Sequence, residues 1–334
     1  MYISGSPTRT RKIAVEEHFL TDYFLAYEDA IVNSFRPDFG RRRMHRISDL
    51  SELRLEDMDA NGIDMQILSL TTPGIQAIID GDEAVYRAQK TNDFLAEVVR
   101  AHPTRYAGFA CLPCQKPDEA ADELERAVTE LGLRGALING HTRGEYLDGQ
   151  KFRVIWERAQ SLGVPIYLHP GSSPDHWKVT EGYPELSKAM WGWGCETATH
   201  TLRLILSGLF DEYPNTTLIL GHMGEMLPFF LSRLDNRWEV SRRSLESELK
   251  YRPSDYFRRN VMVTTSGVCS PEALLCTQLV VGVERILFAV DYPYESSEEA
   301  CQFIESAPLN PLDREKICFL NAQRLLSLGV RPTK

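Results

Sequence analysis

Eight short apolar runs punctuate the chain: residues 12–19 (KIAVEEHF), 65–71 (MQILSLT), 105–112 (RYAGFACL), 135–140 (GALING), 165–170 (PIYLHP), 217–222 (TLILGH), 261–267 (VMVTTSG) and 286–291 (ILFAVD). Most are nearly continuous in apolar residues, as expected of strands buried on both faces of a parallel sheet. Between them lie stretches with helical spacing, clearest at 83–101, 117–131, 151–162 and 198–211, with another from about 312 to 328. Strand followed by helix, eight times, predicts an α/β fold of the (β/α)8 TIM-barrel type. Such a barrel takes roughly 250 residues plus insertions, so the 334 residues read as a single domain, 1–334. The connection after the first strand, about residues 20–64, is an unusually long insertion and carries the basic patch Arg41, Arg42, Arg43, His45 and Arg46. On a catalytic face it reads as a lid or a subunit contact, and equally as a solvated surface run.

The ends of these runs hold the candidate chemistry. Glu16 and His18 stand i, i+2 on a strand and so share a face. His169 closes the fifth run and Asp291 the eighth. Alone, each is more often a cap or a satisfied core group. Together, at the downstream ends of barrel strands, two carboxylates and two imidazoles converge on one point and form an N/O-rich site for a divalent metal.

Charge and composition narrow the partners. The chain has 37 Lys+Arg against 47 Asp+Glu, a net charge of −10, which disfavours nucleic acid and anionic membranes as partners. No run approaches 18 apolar residues, and MYISGSPTRTRK has no apolar core after its basic residues, so neither a membrane span nor a signal peptide is expected. Seven cysteines without disulfide-like spacing suggest reduced thiols and a cytoplasmic location. Cys111 and Cys114, in CLPC, resemble a redox or zinc pair, but with no second pair the structural reading is preferred. His141 and His176, just past the fourth and fifth strands, are candidates to touch a substrate, whereas His200 falls on a helix and reads as packing. Phe19 and Tyr294 flank ligand residues and are either walls for a ring or barrel filling. Trp191 and Trp193 suit a subunit contact or a pocket rim, and Thr72 faces the mouth if its strand assignment holds.

Several segments together resemble the amidohydrolase superfamily, and within it the metal-dependent, oxygen-independent aromatic acid decarboxylases acting on γ-resorcylate, 2,3-dihydroxybenzoate or 5-carboxyvanillate. They are VEEHF (15–19), MDANGID (58–64), SLTTPGIQ (69–76), ELGLRGALING (130–140), YLHP (167–170), GHMGEMLPF (221–229), TTSG (264–267) and ILFAVDYPYE (286–295). The resemblance implies one Zn²⁺ or Mn²⁺ held by Glu16, His18, His169 and Asp291. It implies His222 beside Asp291 and the substrate, Glu225 orienting His222, and Arg233 helping to bind an anionic small aromatic acid. Asp291 is the expected proton donor to the ring, helped by His222, and a homodimer or homotetramer is the expected assembly. Hydrolases of this superfamily with two metals place a Lys at the end of strand four, where this chain reads GALINGH, so a single metal is expected. The rival readings are a metal-dependent hydrolase of a lactone or related ester, and a non-catalytic binding protein on the same scaffold.

Overall fold

The computed structural model describes residues 9–27, 37–175, 177–245 and 249–329. All eight apolar runs contribute strands: β1 (Ile13–Phe19), β2 (Met65–Leu70), β3 (Tyr106–Gly108), β4 (Ala110–Cys111), β5 (Ala136–Asn139), β6 (Ile166–His169), β7 (Leu218–Leu220), β8 (Val261–Thr264) and β9 (Ile286–Leu287). Two expectations shift. The third run is interrupted at Phe109, and the last leaves the ladder after Leu287. The pairing, parallel throughout, runs β1-β2-β3 in one sheet and β4 to β9 in order in a second. Hydrogen bonds cross both gaps. Phe109 N donates to Leu68 O at 2.9 Å, and Val15 N, Asp291 N and His18 N bond Phe288 O, Glu16 O and Tyr292 O at 3.1, 3.0 and 2.8 Å. The (β/α)8 order is therefore kept around the ring.

Helices fill the crossovers. The insertion after β1 forms α1 (Pro37–Ser48) and α2 (Glu52–Asn61); then come α3 (Gly81–Ala101), α4 (Pro117–Thr129), α5 (Arg153–Leu162) and α6 (Gly192–Leu206). Helix α4 shows why these segments are helical. Proline opens its first turn, Asp118 and Glu119 face the positive end of the helix dipole, and Ala120, Ala121, Leu124 and Ala127 bury one stripe. The helix expected at 198–211 starts earlier and ends at Leu206, because Gly208 adopts φ +76°. The one expected at 312–328 runs without a break from Pro311 to Leu325, its middle, Lys316–Leu320, wound as a π-helix. Among the described residues no helix is long and apolar enough to cross a membrane.

The barrel interior is layered. One cluster takes a residue from nearly every strand: Ile13 and Val15, Ile67, Ala107, Leu137, Tyr167, Ile219, Met262 and Leu287, with Ala322, Leu326 and Leu328 packed beneath. Two residues further along these strands the same faces carry Ser69, Asn139, His169, Gly221 and Thr264. The interior therefore changes from apolar to polar within one step of the strand period.

Candidate active site

On β1 that step contains an irregularity. Ala14 pairs with Gln66 and Glu17 with Leu68, so one extra residue sits in β1, a β-bulge. Ile13 and Val15 face the interior, and strict alternation would next turn Glu17 and Phe19 inward. The bulge reverses the parity. Glu16 and His18 enter the interior, while Phe19 packs outward on Phe94, with ring centroids 6.2 Å apart.

Glu16, His18, His169 and Asp291, all buried, offer one donor atom each, and these atoms lie within 4.8 Å of one another. Glu16 Oε1, His18 Nε2 and Asp291 Oδ1 have no hydrogen-bond partner. His18 Nε2 and Asp291 Oδ1 approach to 3.1 Å, a separation suited to two atoms facing one cation at about 2.1 Å each. The other donor atoms are occupied in ways that leave these free. His169 Nδ1 lies 3.0 Å from Pro170 O and His18 Nδ1 lies 3.4 Å from Ser69 Oγ, which leaves each Nε2 lone pair pointing inward. Glu16 Oε2 accepts from the hydroxyls of Tyr167, Ser266 and Thr264. Gly221 is required here: a Cβ at that position would lie 2.9 Å from Glu16 Oε2 and 3.2 Å from Tyr167 Oη. Burial holds the His169 imidazolium well below its usual range, aided by the His18 charge, so His169 stays neutral, the form that binds metal. Burial pushes the Glu16 carboxyl up, a cost that a cation would relieve. The donor set therefore fits a divalent metal ion.

Beside this cluster lies a turn of left-handed backbone. His222, Met223, Glu225 and Met226 have φ of 49°, 55°, 51° and 65°, with Gly224 at 78°. For non-glycine residues such conformations cost roughly 1–2 kcal/mol each, and they persist where surroundings enforce them. Here His222 N donates to Ser266 Oγ at 3.0 Å and Gly224 N to Gly221 O at 2.7 Å. The turn aims the His222 ring back into the barrel, with Nδ1 2.8 Å from Glu225 Oε1 and Nε2 3.5 Å from Asp291 Oδ2. Burial lowers the His222 pKa, but Glu225, Glu16 and Asp291 together raise it well above its ordinary value. Burial likewise raises the Asp291 carboxyl pKa, and the close approach and charge of His18 and His222 bring it below the carboxylate range. The two shifts run in opposite directions, as expected of an imidazole and a carboxylate that face each other.

The other expected residues separate into those at the site and those elsewhere. Tyr294 lies 5.7 Å from the His18 ring and its hydroxyl is 2.6 Å from Thr71 Oγ1, so Thr71, not Thr72, makes this contact. Phe19 is core, not a pocket wall. His141 has both ring nitrogens engaged, Nδ1 accepting from Gly144 N and Nε2 beside Ser172 O, so it ties two loops together. Arg233 is exposed on helix α7 (Leu227–Leu245) and makes none of the hydrogen bonds described above. His176 lies outside the described residues. His200 is buried and accepts from Leu147 N; Trp193 Nε1 donates to Ser172 Oγ, and Trp191 is half-exposed. Burial pushes the Cys111 thiol up, and the Cys114 thiol to about 12, so neither is a thiolate at neutral pH. Strand β5, fourth in barrel order, ends in Asn139.

Three contributors were not identified from sequence. Tyr167 and Thr264 were findable, since each lies two residues from another inward position. Arg43 was seen only as part of a basic patch; it donates to Pro293 O and Tyr294 O, while Arg46 bonds Tyr292 Oη at 3.2 Å. Helix α1 thus grips the loop that carries Asp291.

Comparison with known proteins adds the family. Residues 17–328 match the model of the Amidohydrolase family. The chain is 42% identical over 328 residues to the gamma-resorcylate decarboxylase of Polaromonas sp. (strain JS666), covering 95% of this chain and 99% of that one. The solved structure of a dihydroxybenzoic acid decarboxylase from Polaromonas sp. JS666, with bound manganese and the inhibitor 2-nitroresorcinol, superposes with a TM-score of 0.92 at 40% identity, covering 97% and 98% of the two chains. That of 5-carboxyvanillate decarboxylase from Sphingomonas paucimobilis gives 0.89 at 37%, covering 96% and 100%.

Proposed function

The chain belongs to the Amidohydrolase family, and from that premise we propose that it removes the carboxyl group of an ortho-hydroxybenzoate, with γ-resorcylate (2,6-dihydroxybenzoate) as the leading substrate. The observation that carries this reading is the placement of one carboxylate, Asp291, both in the four-residue metal cluster and against His222. Decarboxylation consumes a proton at the ring carbon that bears the carboxyl group, so the site needs a stored proton next to a fixed ring. A hydrolase needs a base instead, and the carboxylates around His222 push its pKa up, away from that role.

Glu16, His18, His169 and Asp291 would hold the divalent ion, which when bound supplies positive charge to fix and polarise the substrate's carboxylate and phenol oxygens. Manganese in the similar Polaromonas structure is consistent with Mn²⁺ as that ion. Glu225 keeps His222 charged and oriented. His222 passes its proton from Nε2 to Asp291 Oδ2, and Asp291 delivers it to the ring carbon. The ring π pair forms the new C–H bond. The C–C bond to the carboxyl group then breaks, its electrons restore aromaticity, CO₂ leaves, and His222 is reprotonated from solvent. Of the expected substrate contacts, Tyr294 is supported by its position beside His18, whereas His141 already bonds two loops, Arg233 lies exposed on α7 and Thr71 stands where Thr72 was expected. A cytoplasmic location, consistent with seven free cysteines, and a homodimer or homotetramer belong to the same reading.

The test is CO₂ release from 2,6-dihydroxybenzoate, 2,3-dihydroxybenzoate and 5-carboxyvanillate by manganese-loaded and chelator-treated protein. Metal-dependent release is expected, fastest with the first. No release from any of the three at one bound metal per chain would sink the proposal.

A further inference from the structure

We infer that Glu17 is a positioning residue for Asp291, because its carboxylate grips the peptide N–H groups on both sides of that residue. Glu17 Oε1 accepts from Val290 N at 2.9 Å and Oε2 from Tyr292 N at 3.3 Å. The N–H between them, that of Asp291, goes to Glu16 O at 3.0 Å. Two adjacent residues of β1 thus capture three consecutive donors of the loop. The need is local: β9 ends at Leu287, a single parallel bridge between Glu17 and Tyr292 pairs the loop with β1, and Asp291 itself sits at φ +78°, where an aspartate is strained.

The bulge in β1 makes this possible. The parity change that brings Glu16 and His18 inward sends Glu17 outward, beneath the loop. There it is fully buried, which is costly for a carboxylate unless its oxygens are engaged. Gln66 Nε2 lies 3.4 Å from Glu17 Oε2, and the buried Arg54 donates to Gln66 Oε1 at 3.2 Å and to His18 O at 2.5 Å, with its guanidinium 4.4 Å above the Tyr292 ring. One buried carboxylate and one buried guanidinium thus tie the backbone of His18 to the backbone around Asp291, two ligands from opposite ends of the chain. The inference rests on the reading of Asp291 as a ligand and acid, but its geometry concerns the chain alone.

Two variants test it: Glu17→Gln, and the swap Glu17→Gln/Gln66→Glu, which keeps one carboxylate beside Arg54 while removing it from the loop. Amide exchange of peptides spanning 288–294 is measured on metal-free protein, Mn²⁺ affinity by chelator competition, and kcat and KM on loaded protein. In both variants we expect protection at 290–292 to fall at least about tenfold and Mn²⁺ affinity about 10- to 100-fold. We expect kcat to fall about tenfold or more with KM changed less than about threefold. A folded swap variant with wild-type protection and wild-type Mn²⁺ affinity would overturn the inference. If the wild type decarboxylates nothing, the exchange and affinity measurements still decide the role of Glu17, and only the proposed reaction falls.

Discussion

The lower and upper halves of the barrel interior are built by the same strands and differ by one step along them. Below, Val15, Ile67, Leu137, Tyr167, Ile219, Met262 and Leu287 form a continuous apolar layer. Above, Glu16, His18, His169 and Asp291 bring two carboxylates and two imidazoles together, with three donor atoms left unpaired. The lower layer gains free energy from each group it removes from water, while the upper layer spends it to hold polar atoms ready. The difference shows that stability and chemistry are separable along a strand, and that Tyr167, with its ring below and its hydroxyl on Glu16, joins the two.

The largest effect that would expose this separation is Asp291→Asn. Turnover should fall roughly 10³-fold with little change in melting temperature. A variant that still binds metal and substrate yet turns over normally would remove Asp291 from the proton path. The reverse pattern is expected of Ile219→Ala in the lower layer. Denaturant melts should show a loss of about 2–5 kcal/mol, with kcat unchanged well below the melting point. At the junction, Tyr167→Phe keeps the ring and loses one of three hydroxyl donors to Glu16. Chelator competition should show Mn²⁺ affinity reduced about tenfold, and unchanged affinity would mean that Ser266 and Thr264 suffice. The smallest effect lies on helix α6, where burial pushes the Glu196 carboxyl from 4.5 up to about 7. Here the folded state holds the proton more tightly than the unfolded one, so stability is lost as pH rises from about 4.5 through 7. Glu196→Gln should therefore be more stable than wild type by about 1–3 kcal/mol at pH 8. That advantage should fade toward pH 4.5; a gain independent of pH would point to packing instead.

Much of this was legible in the sequence because apolar runs and strand ends have local signatures. The eight runs of strand residues, the four candidate ligands and the packing role of Cys111 all follow from residue type and position. What was not legible depends on register or on distant partners. The parity of β1 is set by a bulge visible only in its pairing with β2, which is why the sequence left Phe19 open between pocket wall and barrel filling and did not single out Glu17. The left-handed turn at His222–Met226 carries only one glycine to announce it. The raised pKa of His222 arises from three carboxylates contributed by three separate segments. The basic patch at 41–46 looked like a charged surface, and only the fold shows Arg43 reaching the carbonyls of Pro293 and Tyr294.

The apolar layer has a floor made of Ala322, Leu326 and Leu328, which lie against strand residues as early as Ile13 and Val15. On a ribosome, the floor of this layer cannot be laid until residue 328 has emerged from the exit tunnel. Contacts of such separation form late and slowly. Until they form, the nascent barrel is a half-open sheet with sticky edges, a natural client for chaperones.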